Sequence, residues 1–177
     1  GDLTTLDDAI NESRIAETLA PGTMETHRAR GLVLEYTSNF EEAAEEFSAA
    51  IALNPNIADL HLGLGRIYYY LQEYNDAITE YSRANALNPR DSTPETLISR
   101  AYAINGDYQK AIQYAEAAIV DEPQNPNLYG NLGLVYSSAT QYLDAIDMLR
   151  IAIKGGTSSD GAPVEGLPMD YGRIAQY

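Results

Sequence analysis

The sequence predicts an all-α solenoid, which is a row of similar helical hairpins stacked on one another. Alanine and proline recur every 34 residues, in columns made of Ala9, Ala43, Ala77, Ala111 and Ala145, then Ala16, Ala50, Ala84, Ala118 and Ala152, and finally Pro21, Pro55, Pro89 and Pro123. Within one period, residues 58–71 and 74–86 carry apolar side chains at helical spacing, and the polar pair Gln72-Glu73 separates them. Such a hairpin buries its apolar faces only against neighbouring copies, so the repetition predicts an array.

The repeat register assigns the whole chain, residues 1–177, to a single array. Residues 3–21 match only the second half of a period and predict a leading half-repeat. Four full repeats follow, at 24–57, 58–91, 92–125 and 126–159. Residues 154–168 are rich in Gly, Ser and Pro and predict a loop, and 169–177 have the pattern of the start of a further helix. We therefore expect a fragment of a longer array.

Three further columns contain the residue types that helix packing requires. Small residues share one position, at Gly31, Gly65, Ser99 and Gly133, where they let two helices approach closely. Aromatic residues form two other columns, at Phe40, Tyr74, Tyr108 and Tyr142 and at Tyr68, Tyr102 and Tyr136. We expect the rings to fill the volume between helical pairs. Asn54-Pro55 and Asn88-Pro89 predict helix ends, because a residue before proline is disfavoured in the α region.

The composition narrows the classes of partner. The chain has 26 acidic and 11 basic residues and a formal net charge of −15, whereas duplex nucleic acid and anionic lipid both require a basic surface. No apolar run approaches the roughly 18 residues that a membrane span needs, so membrane insertion is not expected. Cysteine is absent, which excludes disulfides and thiolate chemistry but does not identify the compartment.

The sequence contains no convincing catalytic or metal-binding motif. His27 and His61 share a column with Glu95 and Tyr129, so packing explains them better than zinc ligation. Residues 63–65 read Gly-Leu-Gly but lie within a predicted helix with no strand before it, unlike a dinucleotide-binding turn. A solvated acidic face is predicted for Glu41, Glu42, Glu45 and Glu46, with a weak divalent-cation site as the alternative. We expect no enzyme activity and no cofactor.

The columns resemble those of the tetratricopeptide repeat (TPR) family. The second repeat is most similar, with Leu64, Gly65, Tyr68, Ala77, Tyr81, Ala84 and Pro89 at the positions of the family pattern. The sequence departs from the pattern at the position where the family has tryptophan. The four repeats carry His27, His61, Glu95 and Tyr129 there. The sequence also departs in the third repeat, where Ser99 replaces glycine and Ala115 replaces an aromatic residue. The resemblance implies a right-handed superhelix whose first helices line a concave groove that holds an extended peptide or a partner helix.

The residues of that groove can be assigned from helical spacing along the first helices. The predicted binding residues are Arg28, Leu32, Tyr36, Leu62, Arg66, Tyr69, Tyr70, Arg100, Ile104, Asn127, Asn131 and Leu134. One interpretation is an Arg–Tyr groove inside an acidic shell, which would favour a ligand with an acidic side chain or a free C-terminus. The other is that Glu25, Glu35 and Asp59 neutralise the arginines and that the tyrosine rings merely pack. The sequence does not decide between them.

Two ligand-binding subtypes of the family are not supported. The positions of the lysine- and asparagine-based clamp for acidic C-terminal peptides are Arg28, Leu32, Gly63, Thr93 and Leu97, and the column of the asparagine ladder is Ala29, Gly63, Leu97 and Asn131. We therefore predict a non-catalytic protein-interaction scaffold. Two alternatives are a regulatory or substrate-docking arm of an enzyme encoded elsewhere in the full-length chain, and a module that self-associates through its exposed ends.

Overall fold

The structure is a computed structural model that describes residues 6–155. Within that range the chain forms nine α-helices and no strand. The helices are α1 Leu6–Leu19, α2 Met24–Tyr36, α3 Phe40–Leu53, α4 Ala58–Tyr70, α5 Tyr74–Leu87, α6 Thr93–Ile104, α7 Tyr108–Asp121, α8 Pro126–Ser138 and α9 Tyr142–Ile153. The all-α solenoid predicted from the sequence is confirmed. The predicted loop beyond Gly155 and the predicted helix start at 169–177 lie outside the described residues.

Each tight turn between the two helices of a repeat places one residue in the left-handed backbone conformation. These residues recur at the 34-residue step, with φ of 62° at Ser38, 64° at Gln72, 79° at Gly106 and 62° at Thr140. The next N–H donates to a carbonyl five residues earlier, as from Glu73 to Tyr68 at 2.8 Å, and closes the helix end. Glycine adopts this conformation without strain, whereas another residue pays about 1 kcal/mol or more. Three of these four turns therefore carry some strain.

The core runs along the array in three clusters, each shared between consecutive helices. In one, Ala43, Phe47 and Ala50 of α3 pack against Leu60, Leu64 and Ile67 of α4. The second joins α5 to α6 through Tyr81 and Ile98, and the third joins α7 to α8 through Ile119 and Leu128. Because every cluster crosses a repeat boundary, each repeat completes the core of its neighbour.

The column of small residues makes the closest helix contacts. A Cβ at Gly65 would lie 2.5 Å from the Tyr81 ring, and one at Gly133 would lie 2.9 Å from the Leu149 side chain. The third repeat has a small residue on both sides of this contact, since the fully buried Ser99 stands in the glycine column and Ala115 at the aromatic position. The Ser99 hydroxyl donates to the Ala111 carbonyl oxygen at 2.7 Å, which satisfies this buried polar group.

The first helices of the repeats lie on the inner side of the array. Besides contacts between consecutive helices, α2 contacts α4 and α6 contacts α8, whereas no two second helices within residues 6–155 make comparable contacts. Elements on the inside of a curved stack are closer together than those on the outside. The surface formed by α2, α4, α6 and α8 is therefore the concave face, and its side chains are the candidate binding residues.

Candidate functional site

Apolar side chains are exposed in two neighbouring rows along the concave face. The large hydrophobic residues exposed on α2, α4, α6 and α8 are Leu32, Tyr36, Tyr70, Ile104 and Leu134. All five belong to the set that the sequence assigned to the groove. Tyr36, Tyr70 and Ile104 occupy one column at the 34-residue step, and Leu32 and Leu134 occupy the adjacent column with Arg66 and Arg100. We call these five residues the apolar groove rows.

Tyrosine rings near the middle of the groove pack on one another and leave one face to solvent. Tyr70 stacks on Phe40 at the start of α3, with ring centroids 4.9 Å apart, yet 52% of Tyr70 remains exposed. Tyr69 meets Tyr74 edge-on at 5.5 Å and is half-buried. Burial raises the pKa of the Tyr69 phenol, and the nearby positive charge of Arg100 acts in the opposite direction. Packing orients these rings, and Tyr70 still presents contact area.

Arg66 is held inside the groove by Glu35 of the preceding repeat. Its Nε and terminal nitrogen donate to the two carboxylate oxygens at 2.8 and 3.0 Å, which is the bidentate geometry of a strong ion pair. The hydrogen bonds to Glu35 raise the pKa of Arg66. Because α2 carries the carboxylate and α4 the guanidinium, the pair fixes these two inner helices against each other.

The other two groove arginines differ from Arg66 in their surroundings. Arg28 lies 3.9 Å from Asp59, and both side chains are largely exposed, so the interaction is weak. No carboxylate lies within 4 Å of the Arg100 guanidinium among the residues that the structure describes. Carboxylates of the chain itself therefore neutralise Arg66 and in part Arg28, whereas the exposed Arg100 has no such partner among the described residues.

The remaining predicted groove residues serve different roles. Leu62 is 8% exposed and packs in the cluster that joins α5 to α6, so it belongs to the core and offers no ligand contact. Asn131 is half-buried and its amide lies 3.5 Å from the Ser99 hydroxyl. Asn127 is exposed at the first turn of α8, where its N–H donates to the Asn125 side chain at 3.1 Å.

The histidines bind carboxylates of their own repeats. Nδ1 of His27 lies 2.7 Å from Glu46, and Nδ1 of His61 lies 2.7 Å from the buried Glu80. The second ring nitrogen of His61 donates to the Pro55 carbonyl at 2.9 Å. The prediction that Glu46 belongs to a solvated face is therefore wrong, because Glu46 also binds Arg30 at 3.0 Å and is half-buried. Glu41, Glu42 and Glu45 are exposed.

Two carboxyl groups of the third repeat, on the half-buried Glu95 and the buried Glu116, were not foreseen from the sequence. Burial, reinforced by the negative charge of Asp121, raises the pKa of Glu95, and one of its oxygens has no hydrogen-bond partner in the described part of the chain. Burial also raises the pKa of Glu116, which accepts a hydrogen bond from the Tyr136 hydroxyl at 3.2 Å. Glu95 stands where the family pattern has tryptophan, and a carboxyl group at a position that normally packs was the sequence feature that could have revealed it.

Among the side chains that the structure describes, no three His, Asp or Glu residues are grouped so that they could hold a metal ion. Over residues 6–155, no helix has the length and apolar character needed to cross a bilayer.

Comparison with known families gives one match. The tetratricopeptide repeat family model matches residues 28–92 and 96–163, which is more than half of the chain. No curated protein matches the sequence significantly.

Solved structures share the fold at low sequence identity. MamA is 23% identical with a TM-score of 0.74, and the match covers 85% of this chain and 88% of that one. PilF of Pseudomonas aeruginosa is 18% identical with a TM-score of 0.74, covering 87% and 70%. YrrB, described as a TPR protein with an unusual peptide-binding site, is 23% identical with a TM-score of 0.68, covering 84% and 77%. At these identities the likeness establishes the fold.

Proposed function

Since the chain belongs to the tetratricopeptide repeat family, whose members are generally non-catalytic interaction modules, we propose that it binds an extended peptide segment of a partner protein along its concave face. The apolar groove rows support this proposal more than any other observation. They account for every large hydrophobic side chain exposed on the four first helices that the structure describes. Exposed apolar side chains gathered on one concave surface are typical of a binding site.

The ligand we propose carries a carboxylate beside apolar residues. Arg100 lies in the same column as Leu32 and Leu134, close to the Tyr69 phenol, and has no acidic neighbour within reach among residues 6–155. An arginine in such a position donates two parallel hydrogen bonds to a carboxylate. Arg66 is occupied by Glu35, so the anionic subsite is centred on Arg100.

A peptide-display selection tests this function. A library that includes free carboxyl termini is selected on the protein, and an enriched peptide is titrated against Arg100→Glu. We expect the enriched peptides to combine a carboxylate with apolar residues. Reversing the Arg100 charge should weaken binding of that peptide about tenfold or more.

Arg150→Glu is the matched control, because Arg150 is an exposed arginine on the second helix α9 and pairs only with Asp147 of the same helix in the described structure. It should leave the affinity unchanged. Equal affinities of both variants would contradict the anionic subsite. Failure to enrich any peptide, together with concentration-dependent sedimentation, would favour self-association as the function.

A further inference from the structure

The second helix α9 exposes isoleucine side chains at positions that are buried or half-buried in the corresponding helices. Ile153 is 86% exposed and Ile146 is 46% exposed. The residue one repeat before Ile153 is Ile119, which is 4% exposed, and the residue two repeats before Ile146 is Ile78, which is 9% exposed. In both cases the cover is the following first helix, α8 for Ile119 and α6 for Ile78. The face of α9 thus has the composition of a surface that receives a first helix.

The first helices use one apolar stripe for this contact. Its three members lie at spacing i, i+4 and i+7, and all are buried, at Leu60, Leu64 and Ile67 in α4, at Pro94, Ile98 and Ala101 in α6, and at Leu128, Leu132 and Val135 in α8. In α4 the three pack directly on Ala43, Phe47 and Ala50 of α3. A segment able to cover α9 must therefore carry apolar residues at this spacing.

The chain itself contains such a segment beyond the described residues. Leu167, Tyr171 and Ile174 repeat the spacing, and residues 172–174 read Gly-Arg-Ile, as do residues 65–67 of α4. Gly172 follows Gly133 of the glycine column by 39 residues, which is five more than the repeat. An extra five residues in a connecting loop cost little closure entropy and leave the segment within reach of α9.

We propose that residues 167–177 form the first helix of a further repeat and pack on the Ile146 and Ile153 face of α9. This proposal does not depend on the peptide-binding function.

The test uses the full chain with Ile174→Glu on the segment and Ile146→Glu on α9, alone and combined. Amide hydrogen exchange is measured over residues 142–153 by mass spectrometry. Each single variant should raise exchange in α9 about tenfold or more, since each removes burial of an isoleucine side chain. The double variant should add less than the sum of the two, because both changes break one contact.

Two control variants introduce the same negative charge outside the proposed contact between the segment and α9. Gln176→Glu alters the segment away from its stripe. Leu143→Glu alters α9 at a site 80% exposed, whose counterparts Asn75 and Gln109 are exposed and polar. Neither should change exchange in α9, and α4 and α5 should stay protected in every variant. The proposal is overturned if Ile174→Glu behaves like Gln176→Glu. A concentration-dependent dimer that protects α9 despite Ile174→Glu would overturn it in favour of a second copy.

Discussion

Glycine and its facing residue act as a matched pair within each repeat. Gly65 faces Tyr81, Gly133 faces Leu149, and in the third repeat Ser99 accompanies Ala115. A Cβ at Gly65 would meet the Tyr81 ring, whereas the third repeat has no ring at Ala115, which leaves room for the Ser99 side chain. Both departures of the third repeat from the family pattern are therefore two halves of one compensation. The sequence shows each substitution separately, and only the packing shows that they belong together.

Gly65→Ala tests this pairing at a single residue. The new Cβ would lie 2.5 Å from the Tyr81 ring, so we expect a loss of about 1–3 kcal/mol in the free energy of unfolding. Gly130→Ala is the control, since its nearest neighbour would be the Ala152 Cβ at 3.9 Å. There alanine should stabilise the helix by about 1 kcal/mol. Urea denaturation of the two variants measures both values, and equal effects would refute the steric explanation.

At the scale of helices, side chains from different repeats fix α2 against α4. The bidentate pair between Glu35 and Arg66 joins residues 31 apart in sequence, and the looser contact between Arg28 and Asp59 joins the same two helices. These acidic residues were expected to neutralise the arginines, but their positions in the sequence do not show which acid pairs with which arginine. Which carboxylate reaches which guanidinium depends on the rotation of each helix, and that is a property of the packed array.

A double-mutant cycle measures the strength of the tighter pair. Glu35→Gln, Arg66→Gln and the double variant should give a coupling of about 0.5–1 kcal/mol, because the pair has good geometry but the arginine is partly solvated. The same cycle at Asp59 and Arg28 should give a coupling near zero. Coupling should fall in high salt. Equal coupling in the two cycles would show that geometry does not decide the strength.

The ends of α4 and α5 were predicted to within one residue, with one feature overlooked. The second helix of the second repeat ends at Leu87 and was expected to end at Ala86. The 34-residue register supplied this accuracy, because each boundary was constrained by every copy. The left-handed turn residues were not foreseen, since Ser38, Gln72 and Thr140 are not glycines. Pairing of the flanking helices imposes that conformation on them.

Across the whole molecule, acidic side chains outnumber basic ones by 15 and some of them are buried. Burial raises the pKa of Glu95 and of Glu116. A raised pKa in the folded state means that protonation stabilises the fold, and this stabilisation is lost as the pH rises through the folded pKa. Glu122 behaves in the opposite way, because hydrogen bonds from Ser92 and Asn125 lower its pKa.

Stability should therefore increase on mild acidification. The raised pKa values mean that Glu95 and Glu116 take up protons in the folded protein at a higher pH than in the unfolded chain, so the melting temperature should rise as the pH falls from neutral toward the ordinary glutamate range. Below about pH 4, protonation of Glu122 in the folded protein should reverse the trend. Circular dichroism melts across this range test the prediction. A melting temperature that falls steadily from neutral pH would contradict it.

Glu116→Gln distinguishes the effect of the buried Glu116 carboxyl group on stability from the effect of the net charge of the chain. Glutamine keeps an acceptor for the Tyr136 hydroxyl and removes the buried charge, so the melting temperature at pH 7 should rise by about 2–4 °C and the gain on acidification should shrink. Glu45→Gln, at an exposed site, removes the same charge and should change little. Equal shifts in the two variants would assign the effect to net charge.

Much of the concave face was predictable because it depends on repetition. Leu32, Tyr36, Tyr70, Ile104 and Leu134 were assigned from helical spacing, and all five are exposed. Leu62 was assigned in the same way and is buried, since it lies at the edge of the stripe where one residue's rotation decides between core and surface. Helical spacing gives the side of a helix, and the neighbouring helix determines how much of that side stays open.

The column of Tyr36, Tyr70 and Ile104 sets the spacing of apolar side chains that a ligand lying across it would need. Packed helices are about 8–10 Å apart, and an extended chain advances about 3.3 Å per residue. A strand that crosses α2, α4 and α6 therefore meets one of these side chains at about every third residue. The protein would then distinguish ligands by the spacing of their apolar residues. Moving one apolar residue of a ligand by one position would weaken binding, although the composition of the ligand stayed the same.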